Sequence, residues 1–248
     1  MDPTLAKAIE YLKAEVAPKA QQIDGDPELL NTALDGLCSR DLMALKRPAE
    51  YGGPAVSEST FRIFQEEVAR VSGSLAFLQT QHQSAVSMIS KSENEELKSE
   101  YLPQMGNGGK LVGIGFSQLR RSGPPAITAV QAPDGFLLTG SVPWITGWSL
   151  YPEFLVGATL PDGRALFAIV PFSNQQMDSA SIEFSPPMKL AAMESAITVS
   201  GKFENWPVRQ SSVVFIKPTD WIKNNDMINI ALQGHFAIGC ALAGLDIL

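Results

Sequence analysis

The hydrophobic pattern of this 248-residue chain changes period twice, and that restricts the folds open to it. Apolar residues three and four apart mark helices, whereas alternation marks half-buried strands. Up to residue 104 the period is helical. Leu5, Ile9, Leu12 and Val16 form a first stripe. Asp26-Pro27 reads as a helix start, with Asp as N-cap and Pro at the first helical position, ahead of the stripe Leu30, Leu34, Leu37 and Leu42. PAEYGGP, from Pro48 to Pro54, breaks the pattern as a turn. Phe61, Phe64, Val68 and Val71 mark a third helix; Leu75, Leu78, His82, Ala85 and Ile89 mark a fourth. Ser92-Glu93-Asn94-Glu95 has capping-box spacing for a fifth.

A Gly-rich linker, Pro103 to Lys110, precedes a period of two that runs from Leu111 to about Lys217. Strands are expected at 126–132, 136–142, 153–160, 164–171, 195–200 and 207–216. Pro133-Asp134-Gly135 and Pro161-Asp162-Gly163 read as hairpin turns with Gly at the positive-φ position. After Pro218 the helical period returns through Ile228, Ala231, Leu232, Ile238, Leu242 and Leu245. Ala237, Gly239, Cys240, Ala241 and Ala243 make this helix apolar on nearly every side, so it is expected to be buried between neighbours. Either a second subunit or a continuing polypeptide is expected to supply them, with the second preferred. The expected class is α+β with three parts: a helical bundle at 1–108, an antiparallel β-barrel or sandwich at 109–218, and the first helix of a further helical domain at 219–248.

The densest run of unusual residues is Leu111 to Trp148. On a strand, Val112, Ile114 and Phe116 share one face and Gly113, Gly115 and Ser117 the other. A face almost without side chains marks close approach by a ligand or another backbone. Val142, Trp144 and Thr146 alternate in the same way, setting an indole beside a hydroxyl. A bare strand beside that pair suits a flat ring system with polar edges. The plainer reading of Trp144 is a strand residue filling the core.

Composition removes several alternatives. With 45% apolar and 18% charged residues the chain can bury a core, and a net charge of −7 argues against a nucleic-acid partner. No apolar run has the length of a membrane span, and the N-terminus lacks the apolar centre of a signal peptide. Cys38 and Cys240 read as buried free thiols of a cytoplasmic protein, and two isolated histidines do not make a metal site. Lys110 is followed by Leu111, so the linker is not a phosphate loop, and Gly113-Ile114-Gly115 lacks the third glycine of a dinucleotide fingerprint.

The order of elements and a collinear set of motifs together resemble the acyl-CoA dehydrogenase family. Pro48-Ala49-Glu50-Tyr51-Gly52-Gly53 is similar to the family's P-x-EYGG turn, and Val68-Ala69-Arg70-Val71-Ser72-Gly73-Ser74 to its A-R-x-x-x-S helix entry. Phe116-Ser117-Gln118 stands where the family has a hydrophobic residue, Thr or Ser, and Glu. Trp144-Ile145-Thr146-Gly147 resembles W-I-T-N-G, Phe203 to Val208 the F-E-x-V-x-V-P strand, and Ile238 to Asp246 the opening of the C-terminal bundle.

That resemblance implies an FAD enzyme oxidising the α,β carbons of an acyl-CoA, with an electron-acceptor protein or oxygen as its second partner. It assigns flavin contact to Phe116, Ser117, Trp144, Ile145 and Thr146, and implies a homo-oligomer. Substrate contact is expected of His82, whose helix lines the acyl pocket in the family, of Ser122, and of Arg120 and Arg121, one of which would meet a phosphate of CoA or flavin because Arg suits that geometry. Against this, His82 on an apolar helix face reads as a hydrogen-bonded core histidine, and the two arginines as a solvated pair. The family's catalytic Glu belongs to a region beyond Leu248, so no base is assigned and the chain alone is expected to be incompetent. T-E-P-x-x-G-S-D has become Ser117-Gln118-Leu119-Arg120-Arg121-Ser122-Gly123-Pro124, losing an acid and a turn. A flavin monooxygenase of the same fold, with FMN and a small aromatic or heterocyclic substrate, is therefore the competing expectation. A non-catalytic fragment that binds a partner through its last helix is a third.

Overall fold

The computed structural model describes residues 1–246, without the side chains of 228–233. Leu248 and the side chains of Ile228, Ala231 and Leu232 therefore lie outside the described residues. Helix α1 (Pro3–Tyr11) starts under the Asp2 carboxylate, which accepts from the backbone N–H of Thr4 at 2.8 Å. The helical stripe predicted to reach Val16 does so, but the α-helix widens into a π-turn at Leu12–Val16 and tightens to 3₁₀ at Ala17–Lys19 before α2 (Ala20–Ile23). Pro18 has no N–H for the ladder, which accounts for the irregularity. Asp26 caps α3 (Pro27–Cys38) as expected, accepting from Glu28 N–H at 2.9 Å.

Three further helices follow: α4 (Glu58–Val71), α5 (Gly73–Ser90) and α6 (Glu95–Met105). The cap of α6 is Asn94, not Ser92, since the Ser92 hydroxyl is drawn away to donate to Val214 O.

The strands are β1 (Val112–Gly115), β2 (Ile127–Ala132), β3 (Gly135–Thr146), β4 (Glu153–Thr159), β5 (Ala165–Pro171), β6 (Gln175–Gln176), β7 (Ser181–Phe184), β8 (Thr198–Arg209) and β9 (Val213–Lys217). They form one sheet in the order β6-β7-β8-β3-β2-β4-β5-β9, with β1 also on β4. The antiparallel expectation fails at two pairings, because β1 and β2 both run parallel to β4. They share its edge, β1 at 153–156 and β2 only at Thr159. Strand β8 runs unbroken through 201–206, where an interruption was expected, and the break falls at Gln210–Ser212. Its partner β3 is equally long and supplies a ladder across the polar stretch, a case of pairing overriding local propensity. Both predicted hairpin glycines have positive φ, Gly135 at 146° and Gly163 at 85°.

Helices and sheet share two buried clusters: in one Leu30, Leu34 and Phe64 are continuous with Phe154, Val199 and Phe203, and in the other Val86, Ile89 and Leu97 with Leu155 and Phe167. The last helix, α7 (Trp221–Leu245), lies on α4. Gly239 approaches Glu66 O so closely that an added Cβ would stand at 2.4 Å, and Arg70 makes two 2.6 Å bonds to Asp246. Burial on the remaining sides was expected from a second subunit or a continuing polypeptide, and among the described residues α7 is covered chiefly on its α4 side. Ile238 is 46% and Leu245 63% exposed, and Cys240 is an exposed thiol, whereas Cys38 is buried. Covering one face of α7 with α4 leaves the other without neighbours among the described residues.

Candidate functional site

A cavity of about 960 Å³ lies where α4, α5, β1, β3 and β9 meet the start of α7. Ligand pockets in proteins span roughly 300–1,000 Å³, so its size suits a cofactor or a sizeable substrate. Four residues assigned to a flavin come together on its sheet side: Phe116, Ser117, Trp144 and Thr146. The fifth, Ile145, does not; it is fully buried, and its side chain reaches toward Gly115 and Gly201.

The arrangement reverses the expected role of the β1 glycines. An added Cβ at Gly115 would meet the Phe154 ring at 2.8 Å, and one at Gly113 would meet Tyr151 at 3.2 Å. The bare face is thus pressed onto the protein's own aromatic core, and close approach is by side chains, not a ligand. Ile114 and Phe116, from the face with side chains, and Ser117 at the head of the following 3₁₀ turn line the cavity instead. The simple alternation of Val142, Trp144 and Thr146 also fails. A register shift between Val142 and Ile145 against β8 sends both of those into the core and leaves Trp144 41% exposed, in the cavity wall.

Thr146 is buried and its hydroxyl lies 3.0 Å from that of Thr198. The adjoining Gly147 donates its N–H to Ala196 O and Ile197 O, at 2.9 and 3.1 Å. Phe116 packs edge-on against Phe167, with the Arg120 guanidinium 5.5 Å from its ring centre.

Of the four residues assigned to substrate, only Arg120 lines the cavity, and it is held by Asp226 through two 2.7 Å bonds. Arg121 and Ser122 are exposed and lie outside the lining. His82 is fully buried away from it. Its Nδ1 accepts from Val112 N–H at 3.0 Å and its Nε2 donates to Met105 O at 2.9 Å. Burial pulls its pKa down to about 4, so it is a neutral core histidine.

Gln118 explains one departure in chemical terms. Its buried amide donates to Gly115 O at 3.2 Å and to Gly157 O at 2.7 Å, tying the 3₁₀ turn across β1 and β4. An ionised Glu has only acceptors and could make neither bond. Asp226, Trp221 and Phe215 complete the wall and were not foreseen. Nothing in their local pattern marks them, because β9 and the start of α7 reach the cavity only through the tertiary fold. Lys46 and Arg62 both bind Glu58 at the opposite wall, and the Lys46 bond holds the Glu58 carboxyl below the usual carboxylate range.

Residues 4–109 match the family model for the acyl-CoA dehydrogenase N-terminal domain. The chain is thus similar to acyl-CoA dehydrogenases in its N-terminal sequence and in its fold. It is 26% identical over 194 residues to a probable acyl-CoA dehydrogenase of Mycobacterium tuberculosis, an alignment covering 77% of this chain and 50% of that protein. It spans about half the length of the curated acyl-CoA dehydrogenases it matches. Its fold superposes on glutaryl-coenzyme A dehydrogenase in complex with glutaryl-CoA at a TM-score of 0.81 and 20% identity, covering 98% of this chain and 64% of that one. It also superposes on FMN-bound TdsC from Paenibacillus sp. A11-2, at 0.77 and 20% identity, covering 98% and 63%. The acyl-CoA dehydrogenase fold thus accounts for the helices, the sheet and the first C-terminal helix. Among the described residues no helix is long and apolar enough to cross a membrane.

Proposed function

We propose that this chain forms the flavin-holding part of an acyl-CoA dehydrogenase-like oxidoreductase, with residues 1–108, 109–218 and 219–248 as its helical, β and C-terminal helical parts. The observation that carries the reading is Trp144. Its indole lies 41% exposed in a cavity wall that also holds the Ser117 and Thr146 side chains. A large apolar ring left uncovered inside a concave site suits a planar partner.

FAD is the proposed cofactor. Trp144 would lie against its ring system, Phe116 would support the wall, and the Ser117 hydroxyl would serve a polar ring edge. When bound, the flavin supplies a hydride acceptor for oxidation of the acyl α,β carbons. Thr198 fixes the Thr146 hydroxyl beside it. Arg120, already paired with Asp226, steadies the start of α7 against the turn at Ser117. No base is assigned to this chain. Acyl-CoA as substrate, an electron-acceptor protein, a homo-oligomeric state and a cytoplasmic location are parts of the same reading.

Adding FAD to the chain and following flavin fluorescence tests it directly. Quenching that is lost in Trp144→Ala is the expected result; absence of binding by both FAD and FMN would overturn the reading.

One observation favours a second reading, a flavin monooxygenase of this fold with FMN: Gln118 replaces an acid and is committed to backbone carbonyls. Anaerobic addition of acyl-CoAs to a flavin-loaded full-length protein that carries the base separates the two. Bleaching of the oxidised flavin band supports the dehydrogenase, and its absence with every acyl chain supports the monooxygenase.

A further inference from the structure

Nine side chains of α5 can make hydrogen bonds, and their behaviour divides by direction. Those turned into the protein are satisfied. Ser74 donates to Asp24 at 2.7 Å, Gln79 pairs with Gln65 at 2.6 Å, and His82 bonds to Met105 O and the Val112 backbone. Gln83 touches the cavity, but its amide is committed to Leu42 O at 2.8 Å and Leu45 N–H at 3.0 Å. Ser90 donates back to Val86 O at 2.8 Å, the usual recourse of a helical serine.

Thr80, Gln81, Ser84 and Ser87 behave differently. They recur at helical spacing on the face that lines the cavity, and among the described residues none has a hydrogen-bond partner. Gln81 is the decisive member. Its side chain is nine-tenths buried, with 9% of its surface left, and it lines the cavity with its amide unpartnered. The residue is nine-tenths buried, yet its amide is not sealed in the interior: it opens on the cavity, where a polar group of a ligand would complete it. Arg62, on the adjoining α4, also lines the cavity, with only a 3.3 Å contact to Glu58.

Phe77 and Met88 of the same helix also line the cavity, but a pocket for a plain alkyl chain would not interleave them with four polar side chains that have no partner among the described residues. We infer that the α5 wall receives an oxygen-bearing acyl group, one carrying a hydroxyl or a carboxylate along its chain, and not an unsubstituted alkyl chain. This rests on the proposed acyl-CoA reading and names the substrate class within it. A site built to hydrogen-bond a substrate group rejects the analogue that lacks it far more strongly than an apolar pocket rejects an extra methylene.

The test is a set of binding isotherms on the FAD-loaded chain with butanoyl-CoA, 3-hydroxybutanoyl-CoA and succinyl-CoA, and with free 3-hydroxybutanoate and succinate. At least one oxygen-bearing thioester is expected to bind ten times more tightly than butanoyl-CoA or better. Gln81→Leu combined with Ser84→Ala is expected to remove that preference while circular dichroism and the melting transition stay close to wild type. If the double variant does not fold, Thr80→Val and Ser87→Ala, each alone, are expected to weaken the same preference. Equal or tighter binding of butanoyl-CoA overturns the inference and leaves the acyl-CoA reading standing. Binding of the free oxygen-bearing acids without any thioester overturns the acyl-CoA reading and keeps the polar pocket. Failure of every probe to bind overturns the inference.

Discussion

Gly115 lies against the ring of Phe154, close enough that a methyl group on its α-carbon would stand 2.8 Å from Cε2. The contact locks β1 onto β4, since Gly115 is also the register partner of the neighbouring Val156. It explains why the strand that leads into the cavity has a face without side chains: the space is already taken by aromatic rings. Gly115→Ala is expected to overpack this contact and cost about 1–3 kcal/mol. Urea denaturation measures the loss, and a variant as stable as wild type would contradict the packing.

His82 makes stability depend on acidity. Its pKa falls to about 4 on folding because burial disfavours the charged ring, against 6.5 for the free side chain. The unfolded chain therefore binds more protons between those two values, so stability is complete above pH 6.5 and is lost as pH falls toward 4. The full swing is about 3 kcal/mol. His82→Gln is expected to flatten this part of the pH–stability curve. An unchanged slope in the variant would assign the dependence to other groups.

Asp24 holds a strained turn. Its carboxylate accepts from the Ser74 hydroxyl at 2.7 Å and from Met193 N–H at 3.0 Å, and its carbonyl accepts from Ser195 N–H at 3.1 Å. Met193 and Ile197 in that turn both have positive φ, at 59° and 44°. Such backbone costs on the order of 1–3 kcal/mol per residue and persists only when its surroundings hold it. The same turn accepts the Gly147 and Trp148 N–H groups beside the cavity. Asp24→Ala is expected to lose about 2–3 kcal/mol, the scale of hydrogen bonds to a charged group, and Asp24→Asn to recover part of it. Thermal and chemical melts check both variants. Full stability in Asp24→Ala would mean that the turn holds itself.

Trp144 is the reverse case, a large side chain whose removal should barely affect folding. With 41% of its surface exposed in the cavity wall, Trp144→Ala is expected to change stability little but to weaken flavin binding roughly tenfold, the worth of one aromatic contact. Parallel denaturation and flavin titration read the two effects separately. A large stability loss with unchanged flavin affinity would make Trp144 a core residue after all.

Arg120 and Asp226 form a half-exposed ion pair between the turn after β1 and α7. Arg120→Ala is expected to cost no more than about 1 kcal/mol, as such pairs do, and the small remaining dependence should vanish in high salt. A loss of several kcal/mol that survives salt would show that the pair does more than rest α7 on the sheet.

The sequence alone determined what local physics can encode. The Asp26 cap, the Gly135 and Gly163 turns and the change from helical to alternating period each depend on neighbours within a few residues. Ordered motifs such as Trp144-Ile145-Thr146-Gly147 carried the family resemblance, and with it the gathering of Phe116, Ser117, Trp144 and Thr146. Only the tertiary structure decided which way these residues face. A single register shift in β3 separated Val142 and Ile145 from Trp144, and the position of Phe154 turned a bare strand face into a core contact. Faces are set by pairing between segments far apart in the chain, and alternation cannot record an extra residue in one strand or which of two faces a distant ring fills.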